Sequence, residues 1–97
     1  MKWSVILAWL IKFDEQAKKD LAALDKPVAK RLVVFLRDRL AVLDDPHSIG
    51  DALKGSRLGD FWKYRVGSYR IIASIEDGAL RIFVVRIGNR KNIYTKR

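Results

Sequence analysis

The strongest constraint on the fold of this sequence is a pair of turn signals that separate three short apolar runs in its second half. Gly67-Ser68 places glycine first, as a type II′ turn requires, and Asp77-Gly78 is a pair favoured in type I′ turns. The flanking runs alternate apolar and polar residues with the period of a β-strand, at residues 61–66, 69–75 and 80–87. The pattern predicts a three-stranded antiparallel meander.

Upstream of the meander, an apolar N-terminal run predicts a buried strand, and the apolar period then becomes helical. Asp14 is placed to cap a short helix, and Pro27 opens a longer one in its first turn. The predicted apolar stripes are Ala17, Leu21 and Leu24 in the first helix, and Val28, Leu32, Phe35, Leu36 and Leu40 or Leu43 in the second. Lys18, Lys19 and Asp20 are predicted to face water, and Asp44, Asp45 and Pro46 to end the second helix.

The short connection at Asp25-Lys26 makes the two helices fold back on each other as a hairpin. A strand, a helical hairpin and then a meander form an α+β fold, in which the helices cover one face of a single sheet and the other face is open. The length of 97 residues, 49% of them hydrophobic, indicates a single domain over residues 1–97.

The composition also bears on the compartment. The chain has no cysteine, so disulfides and thiolate chemistry are excluded and a reducing cytoplasm is the expected location. The apolar run at the N-terminus is shorter than the roughly 18 to 20 residues of a membrane span, and it lacks a small-residue cleavage site. Neither membrane insertion nor a signal peptide is therefore expected.

The net charge of +9 is concentrated in the second half of the chain. Residues 1–53 hold nine basic and eight acidic residues, whereas residues 54–97 hold eleven basic and three acidic ones. A basic domain of this kind is typical of proteins that bind nucleic acid or another polyanion. The meander is therefore the predicted binding region, with a merely solubilising surface as the alternative.

Strand alternation assigns the cations of the meander to the open face. Trp62, Tyr64 and Val66 are predicted to face the helices, which leaves Lys63 and Arg65 on the other side. The tight turn then brings Arg70 beside them, while Arg81 and Arg86 are predicted on opposite faces of the last strand. Arginine forks suit a phosphodiester, and Phe61, Tyr64 or Tyr94 could stack on an unpaired base. Solvated cations above an aromatic core are the alternative.

Other chemistries have less support in this sequence. Asp60, Glu76 and Asp77 are the only carboxylates in the second half, which makes a two-metal site hard to assemble. His47 is the sole histidine and is more simply explained as an exposed loop residue than as an acid or base. The glycines of the loop at residues 44–60 lack phosphate-loop spacing. We therefore expect no metal and no small-molecule cofactor.

Four segments of the chain resemble a known family. They are Phe13-Asp14, the loop segment Leu53-Lys54-Gly55, the hairpin Trp62-Lys63-Tyr64-Arg65-Val66-Gly67-Ser68-Tyr69-Arg70-Ile71-Ile72, and the ending Ile87-Gly88-Asn89-Arg90-Lys91-Asn92-Ile93-Tyr94. Over roughly residues 8–95 the sequence resembles the RelE toxins within the RelE/ParE superfamily of type II toxin-antitoxin systems. Residues 1–7 lie outside this resemblance and are expected to be an N-terminal extension.

The resemblance implies a RelE-like, microbial ribonuclease-like fold and a metal-independent endoribonuclease that cuts mRNA in the ribosomal A site and inhibits translation. The catalytic set that it implies is Lys63, Arg65, Arg70, Arg90 and Tyr94. The RNA-contacting residues that we predict around this set are Lys54, Arg57, Tyr64, Arg86 and Lys91. The implied partners are mRNA, the ribosome, and a cognate antitoxin whose acidic segment folds on binding.

The catalytic roles within this set stay open. Repulsion from neighbouring arginines disfavours the charged form of Lys63, so Lys63 is a candidate base, alone or with Tyr94. Arg70 is the leading candidate for the phosphate clamp, and Arg65 and Arg90 for charge stabilisation or leaving-group assistance. Many relatives carry histidine where Asn89 stands, and some carry lysine at the position of Arg65.

Two alternatives belong to other functional classes. A ParE-like toxin shares the fold and inhibits DNA gyrase without hydrolysis, although such toxins usually lack the full set that includes Lys63, Arg90 and Tyr94. A non-catalytic RNA-binding or ribosome-associated module would keep salt-sensitive binding and leave RNA intact.

Overall fold

The computed structural model of this chain describes residues 9–43, 45–53 and 61–89. Its two α-helices are α1 (Glu15–Ala22) and α2 (Lys26–Val34), and a π-helical segment, Phe35–Leu40, continues α2. Short 3-10 turns lie at Pro46–Ile49 and Asp77–Ala79. The strands are β1 (Leu10–Phe13), β2 (Asp51–Ala52), β3 (Phe61–Val66), β4 (Tyr69–Glu76) and β5 (Arg81–Asn89). The predicted N-terminal extension, residues 1–7, lies outside the described residues.

The five strands form one mixed sheet in the order β1-β5-β4-β3-β2. The antiparallel pairings of β3 with β4 and of β4 with β5 confirm the predicted meander. Two features were not predicted: β1 pairs with β5 in parallel, and the two-residue strand β2 pairs with β3 inside the expected loop. A two-residue strand is too short to show a period, and a parallel pairing leaves no turn signal in the sequence.

The first turn of the meander was predicted correctly and the second was not. Val66 pairs with Tyr69 across a two-residue turn, and Gly67 has the positive φ, 63°, of the first position of a type II′ turn. In the second turn Glu76 pairs with Arg81, so the connection has four residues. Its left-handed residue is Leu80, with φ 51°, and the predicted two-residue type I′ turn at Asp77-Gly78 is therefore wrong.

The helices begin where the sequence predicts. The side chain of Asp14 accepts a hydrogen bond from the backbone N–H of Gln16, and Pro27 lies in the first turn of α2. The π-helical segment contains the bond from the N–H of Ala41 to the carbonyl of Leu36. It ends at Leu40, earlier than the predicted end near Asp44. Among the described helices, none has the length and apolarity to cross a membrane.

The core lies between the helices and one face of the sheet, as predicted for an α+β fold. Its buried residues are Ala17, Leu32, Leu36 and Leu40 from the helical half, and Tyr64, Ile71, Ala73, Ile82, Val84 and Ile87 from the sheet. The alternate residues of β3 and β4 lie on the opposite face, called here the open face. The apolar residues that face the helices fix the register, because a shift by one residue would exchange the two faces. On the open face, Ile72 and Arg70 of β4 are also buried.

A β-bulge changes the alternation within β5. Ile72 pairs with Arg86 and Ala73 pairs with Val84, so Val85 is an extra residue without a partner on β4. Arg81 pairs with Glu76, and Arg86 pairs with Ile72. The register therefore places both arginines on the open face. The prediction that the two arginines lie on opposite faces is wrong, because the bulge adds one residue between them.

Candidate functional site

The cations of β3 and β4 meet on the open face beside the first turn of the meander. Arg65 and Arg70 are directly opposite each other, and Lys63 lies one position along the same face, opposite Ile72. The register confirms that these three cations share one face; their catalytic role stays a prediction. Like charges directly opposite each other destabilise a sheet unless an anion offsets them. The arrangement therefore favours a bound anion.

Arg70 is the most enclosed of these cations. Arg70 is only 9% exposed, and its Nη1 donates a hydrogen bond to the backbone carbonyl of Tyr69 at 3.1 Å. Within the described ranges it forms no ion pair with a carboxylate. On β5 its neighbour is Gly88, which presents no side chain there. A cation removed from water is costly without an anionic partner, so this position is suited to a phosphate group.

Lys63 and Arg65 have different surroundings. Arg65 is exposed, whereas Lys63 is half-buried and lies opposite Asp51 of β2 in register. The sequence did not predict this acidic neighbour, because β2 falls within the expected loop. A carboxylate opposite Lys63 offsets part of the repulsion among the three cations.

Arg86, predicted to contact RNA, is tied to the first helix. Its Nε donates to Oδ2 of Asp20 at 2.9 Å, and the backbone N–H of Ile87 donates to the same oxygen at 2.9 Å. Burial alone would raise the pKa of Asp20, but the hydrogen bonds from Ile87, Gln16 and Arg86 hold that pKa below its usual value. The prediction that Asp20 faces water is wrong, since its side chain is only 12% exposed. The RNA contact of Arg86 stays a prediction.

Tyr64, the second predicted RNA-contacting residue that the structure describes, lies in the core. Its ring is fully buried, and its hydroxyl donates a hydrogen bond to the carbonyl of Pro46 at 2.8 Å. Burial, with a smaller contribution from the charge of Asp45, raises the pKa of the Tyr64 hydroxyl far above its usual value. Its helix-facing orientation is confirmed, and the prediction that this ring stacks on a base is wrong.

His47 lies away from the cations. Its Nδ1 is 2.7 Å from Oδ1 of Asp45, and its ring meets Trp62 edge to face with the ring centres 4.6 Å apart. The hydrogen bonds from His47 lower the pKa of Asp45. Trp62 packs against the core, so His47 is on the side of β3 opposite to Lys63 and Arg65. This position does not favour an acid-base role for His47 at the cationic face.

The remaining predicted site residues fall outside the described ranges. They are Lys54, Arg57, Arg90, Lys91 and Tyr94. The strand that leads toward the closing motif is described: β5 ends at Asn89, opposite Tyr69 and next to the pair formed by Gly88 and Arg70. Over the described part of the chain, no group of three His, Asp or Glu side chains is arranged to hold a metal ion.

Comparison with known proteins gives consistent matches over most of the chain. A family model described as the ParE toxin of type II toxin-antitoxin systems matches residues 11–94. The toxin RelE of Mycobacterium tuberculosis is 32% identical over 78 residues, which cover 80% of this chain and 77% of that protein.

Solved structures show the same fold. The RelBE2 toxin-antitoxin complex of Mycobacterium tuberculosis contains a chain that matches with a TM-score of 0.78 and 23% identity, covering 90% of this chain and 97% of that one. The intact RelBE complex of Escherichia coli matches with a TM-score of 0.67 and 27% identity, covering 93% and 100% of the two chains.

Proposed function

This chain belongs to the RelE/ParE superfamily of type II toxin-antitoxin toxins, and we propose that it is an endoribonuclease that cleaves mRNA in the ribosomal A site. The observation that carries the proposal is the position of Arg70. Arg70 is a buried residue, has no carboxylate partner in the described ranges, and lies opposite a second arginine. Such a position supports binding of a single phosphate in a defined place.

The spacing of the two arginines supports this role. Val66 and Tyr69 close a two-residue turn, so the next pair, Arg65 and Arg70, falls at a non-hydrogen-bonded position of the ladder. The Cα atoms of such pairs are about 4.5 Å apart and their side chains are close. Two guanidinium groups projecting from this pair suit two oxygens of one phosphodiester, whose charge would offset their mutual repulsion.

The reaction that we propose is attack of a ribose 2′-oxygen on its own 3′-phosphorus. The 2′-hydroxyl loses its proton to a base, the new oxygen-phosphorus bond forms, and the bond to the 5′-oxygen breaks. The leaving 5′-oxygen takes a proton from an acid, so the products are a 2′,3′-cyclic phosphate and a 5′-hydroxyl. Lys63, alone or with Tyr94, is the proposed base, and the arginines Arg65, Arg70 and Arg90 stabilise the added charge on phosphorus.

We also propose that an antitoxin neutralises this chain. The matched solved structures from Mycobacterium tuberculosis and Escherichia coli are toxin-antitoxin complexes. The second half of this chain carries an excess of eight positive charges. An acidic segment that folds on the open face would be attracted by this charge and would compete there with RNA.

A second function is favoured by one observation: the matching family model is described by the name ParE. A ParE-like toxin would inhibit DNA gyrase and would leave mRNA intact. The two functions differ in what they require of Arg70, since phosphate binding during RNA cleavage needs its guanidinium.

The experiment that separates them is inducible expression in a bacterial host of the wild type, Arg70→Ala and Arg39→Ala. Arg39 is an exposed residue of the π-helical segment, so its replacement makes the same change in charge away from the sheet. Growth is followed together with primer extension on a translated mRNA. We expect arrest with new in-frame 5′ ends for the wild type and Arg39→Ala, and at least a roughly 100-fold slower cleavage for Arg70→Ala.

Two controls make the outcome decisive. Circular dichroism of purified Arg70→Ala tests whether the variant is folded, and Arg70→Lys keeps the charge while removing the guanidinium fork. Arrest of the wild type with intact mRNA and altered plasmid supercoiling would refute the nuclease proposal and favour gyrase as the target.

A further inference from the structure

The open face continues beyond the three cations as a row that contains two aromatic rings. Across four neighbouring strands, Lys12 pairs with Phe83, Phe83 with Ser74, and Ser74 with Phe61. Both phenylalanines are half-buried, and neither is among the hydrophobic residues that pack against the core. The register and the core packing therefore agree that both rings lie on the open face.

Beside Phe83 the surface forms a cleft of about 530 Å³ with a basic border. Lys12, Lys18 and Arg81 line it together with one acid, Glu76, which is paired with Arg81. Lys12 is exposed and forms no ion pair within the part of the chain that is described. Lys18 pairs with Glu15 on the surface, where such pairs contribute little. The cleft therefore combines an accessible ring with uncompensated positive charge.

The dimensions of the sheet relate this cleft to the cation cluster. Ser74 is four residues from Arg70 along β4, which is about 13 Å at the usual rise of a strand. A stacked strand of nucleic acid advances ~3.4 Å per nucleotide, so about four nucleotides would connect the two places. Phe61 and Phe83 are two strands apart, roughly 9.6 Å, with only the small side chain of Ser74 between them. No bulky side chain of β4 therefore separates the two ring positions, and the cleft lies at Phe83.

We propose that the row of Lys12, Phe83, Ser74 and Phe61 is a second binding subsite for single-stranded RNA, in which Phe83 stacks on a base and Lys12 contacts a phosphate. This subsite rests on the proposed function, since it binds nucleotides of the RNA whose scissile phosphate lies at Arg70. Aromatic stacking together with cations is the usual means of holding single strands without base specificity. An acidic polypeptide would be attracted by the cations but would not require a ring.

The test uses equilibrium binding of a fluorescein-labelled, fully 2′-O-methylated RNA decamer, followed by fluorescence anisotropy. This probe has no free 2′-hydroxyl, so binding is measured without cleavage. Phe83→Leu keeps apolar bulk and removes the aromatic face, whereas Phe83→Tyr keeps the ring. We expect Phe83→Leu to bind about 10-fold more weakly and Phe83→Tyr to bind within about twofold of the wild type.

Salt dependence separates the two parts of the subsite. Lys12→Ala is expected to reduce the slope of log K against log salt concentration by about 0.7, because one phosphate contact on a single strand is lost. Phe83→Leu is expected to leave this slope unchanged. The matched controls are Lys30→Ala, an exposed lysine of α2, and Ile49→Ala, an exposed apolar residue of the first 3-10 turn; both should bind as the wild type does.

Each other outcome overturns one of the two proposals. If Arg70→Ala weakens binding of the decamer and Phe83→Leu does not, the subsite is wrong and the proposed function stands. If Phe83→Tyr is as weak as Phe83→Leu, the ring does not act by stacking and the subsite is wrong. If Phe83→Leu weakens the binding of a labelled polyglutamate peptide as much as it weakens the binding of the RNA, the cleft is a polypeptide site and the subsite is wrong. If RNA binding depends on the Phe83 ring but mRNA stays intact in cells that express the wild type, the proposed nuclease activity is wrong and the RNA-binding subsite stands.

Discussion

Replacing Asp20 with asparagine is expected to destabilise the protein by about 2 kcal/mol, because Asp20 joins the first helix to the strand beside the candidate site. Its Oδ2 accepts from the N–H of Ile87 and the Nε of Arg86, both at 2.9 Å, and its Oδ1 accepts from Gln16 at 3.0 Å. Hydrogen bonds to a charged group contribute about 1.5 to 3 kcal/mol each. The hydrogen bond from Arg86 contributes less than this range to the free energy of unfolding, because the Arg86 side chain is 35% exposed to water. The asparagine side chain also keeps one oxygen that accepts a hydrogen bond.

The assay for this loss is thermal unfolding followed by circular dichroism. A loss of about 2 kcal/mol corresponds to a fall of roughly 8 to 16 °C in the Tm of a domain of this size. The matched control is Glu15→Gln, which removes an acid from the same helix. The Glu15 side chain is 83% exposed in its ion pair with Lys18, so the Tm of Glu15→Gln should differ from that of the wild type by no more than a few degrees. Equal Tm values for the two variants would refute this account of Asp20.

The pH dependence gives a second measure of the same carboxylate. Burial raises the pKa of Asp20, but the hydrogen bonds from Ile87, Gln16 and Arg86 outweigh this effect and hold the pKa in the folded protein below its ordinary value. A lowered folded pKa stabilises the protein above the unfolded pKa, and this stabilisation is lost as the pH falls through the folded pKa. The difference in unfolding free energy between wild type and Asp20→Asn should be constant near pH 6 and should shrink below about pH 4. A difference that stays constant down to pH 2 would contradict the ionic contribution.

Two further substitutions test the packing around Tyr64. Tyr64→Phe removes the hydrogen bond to the carbonyl of Pro46 and should cost about 1 to 2 kcal/mol in urea unfolding; an unchanged midpoint would indicate that this bond adds no stability. Gly50→Ala places a Cβ 2.8 Å from Cε1 of the buried Tyr64 ring and should cost about 1 to 3 kcal/mol. Gly78→Ala, which meets no atom within 4 Å, is its control, and equal losses for the two alanines would exclude a steric cause.

The elements that were predicted correctly are those whose signals are local. The glycine at Gly67, the cap at Asp14 and the proline at Pro27 each act through the backbone of a few neighbouring residues, so their effects can be read in the sequence. The grouping of Lys63, Arg65 and Arg70 followed from that one turn, because a two-residue connection fixes the register on both sides. This part of the site was therefore predictable before the structure.

The features that were missed depend on contacts between distant parts of the chain. The side chain of Asp20 accepts a hydrogen bond from the backbone N–H of Ile87, 67 residues further along the chain. The apolar period of the first helix does not distinguish Asp20 from the lysines beside it. The burial of Tyr64 was predicted, but its partner, the carbonyl of Pro46, lies in a 3-10 turn that has no helical or strand period. Asp51 faces Lys63 only because two residues of a loop form a strand.

The bulge at Val85 links these observations. Ile82 and Val84 face the core, and continued alternation would place Arg86 and Gly88 in the core and Ile87 on the open face. The extra residue returns Ile87 to the core and assigns Arg86 to the open face, from which its guanidinium reaches Asp20. It also places Gly88, without a side chain, beside Arg70. One unpaired residue thus keeps the apolar face of β5 continuous and leaves the position beside Arg70 without a side chain on β5. The bulge therefore serves the apolar core on one face of the sheet and the proposed chemistry on the other, and Arg86 ties the open face to α1.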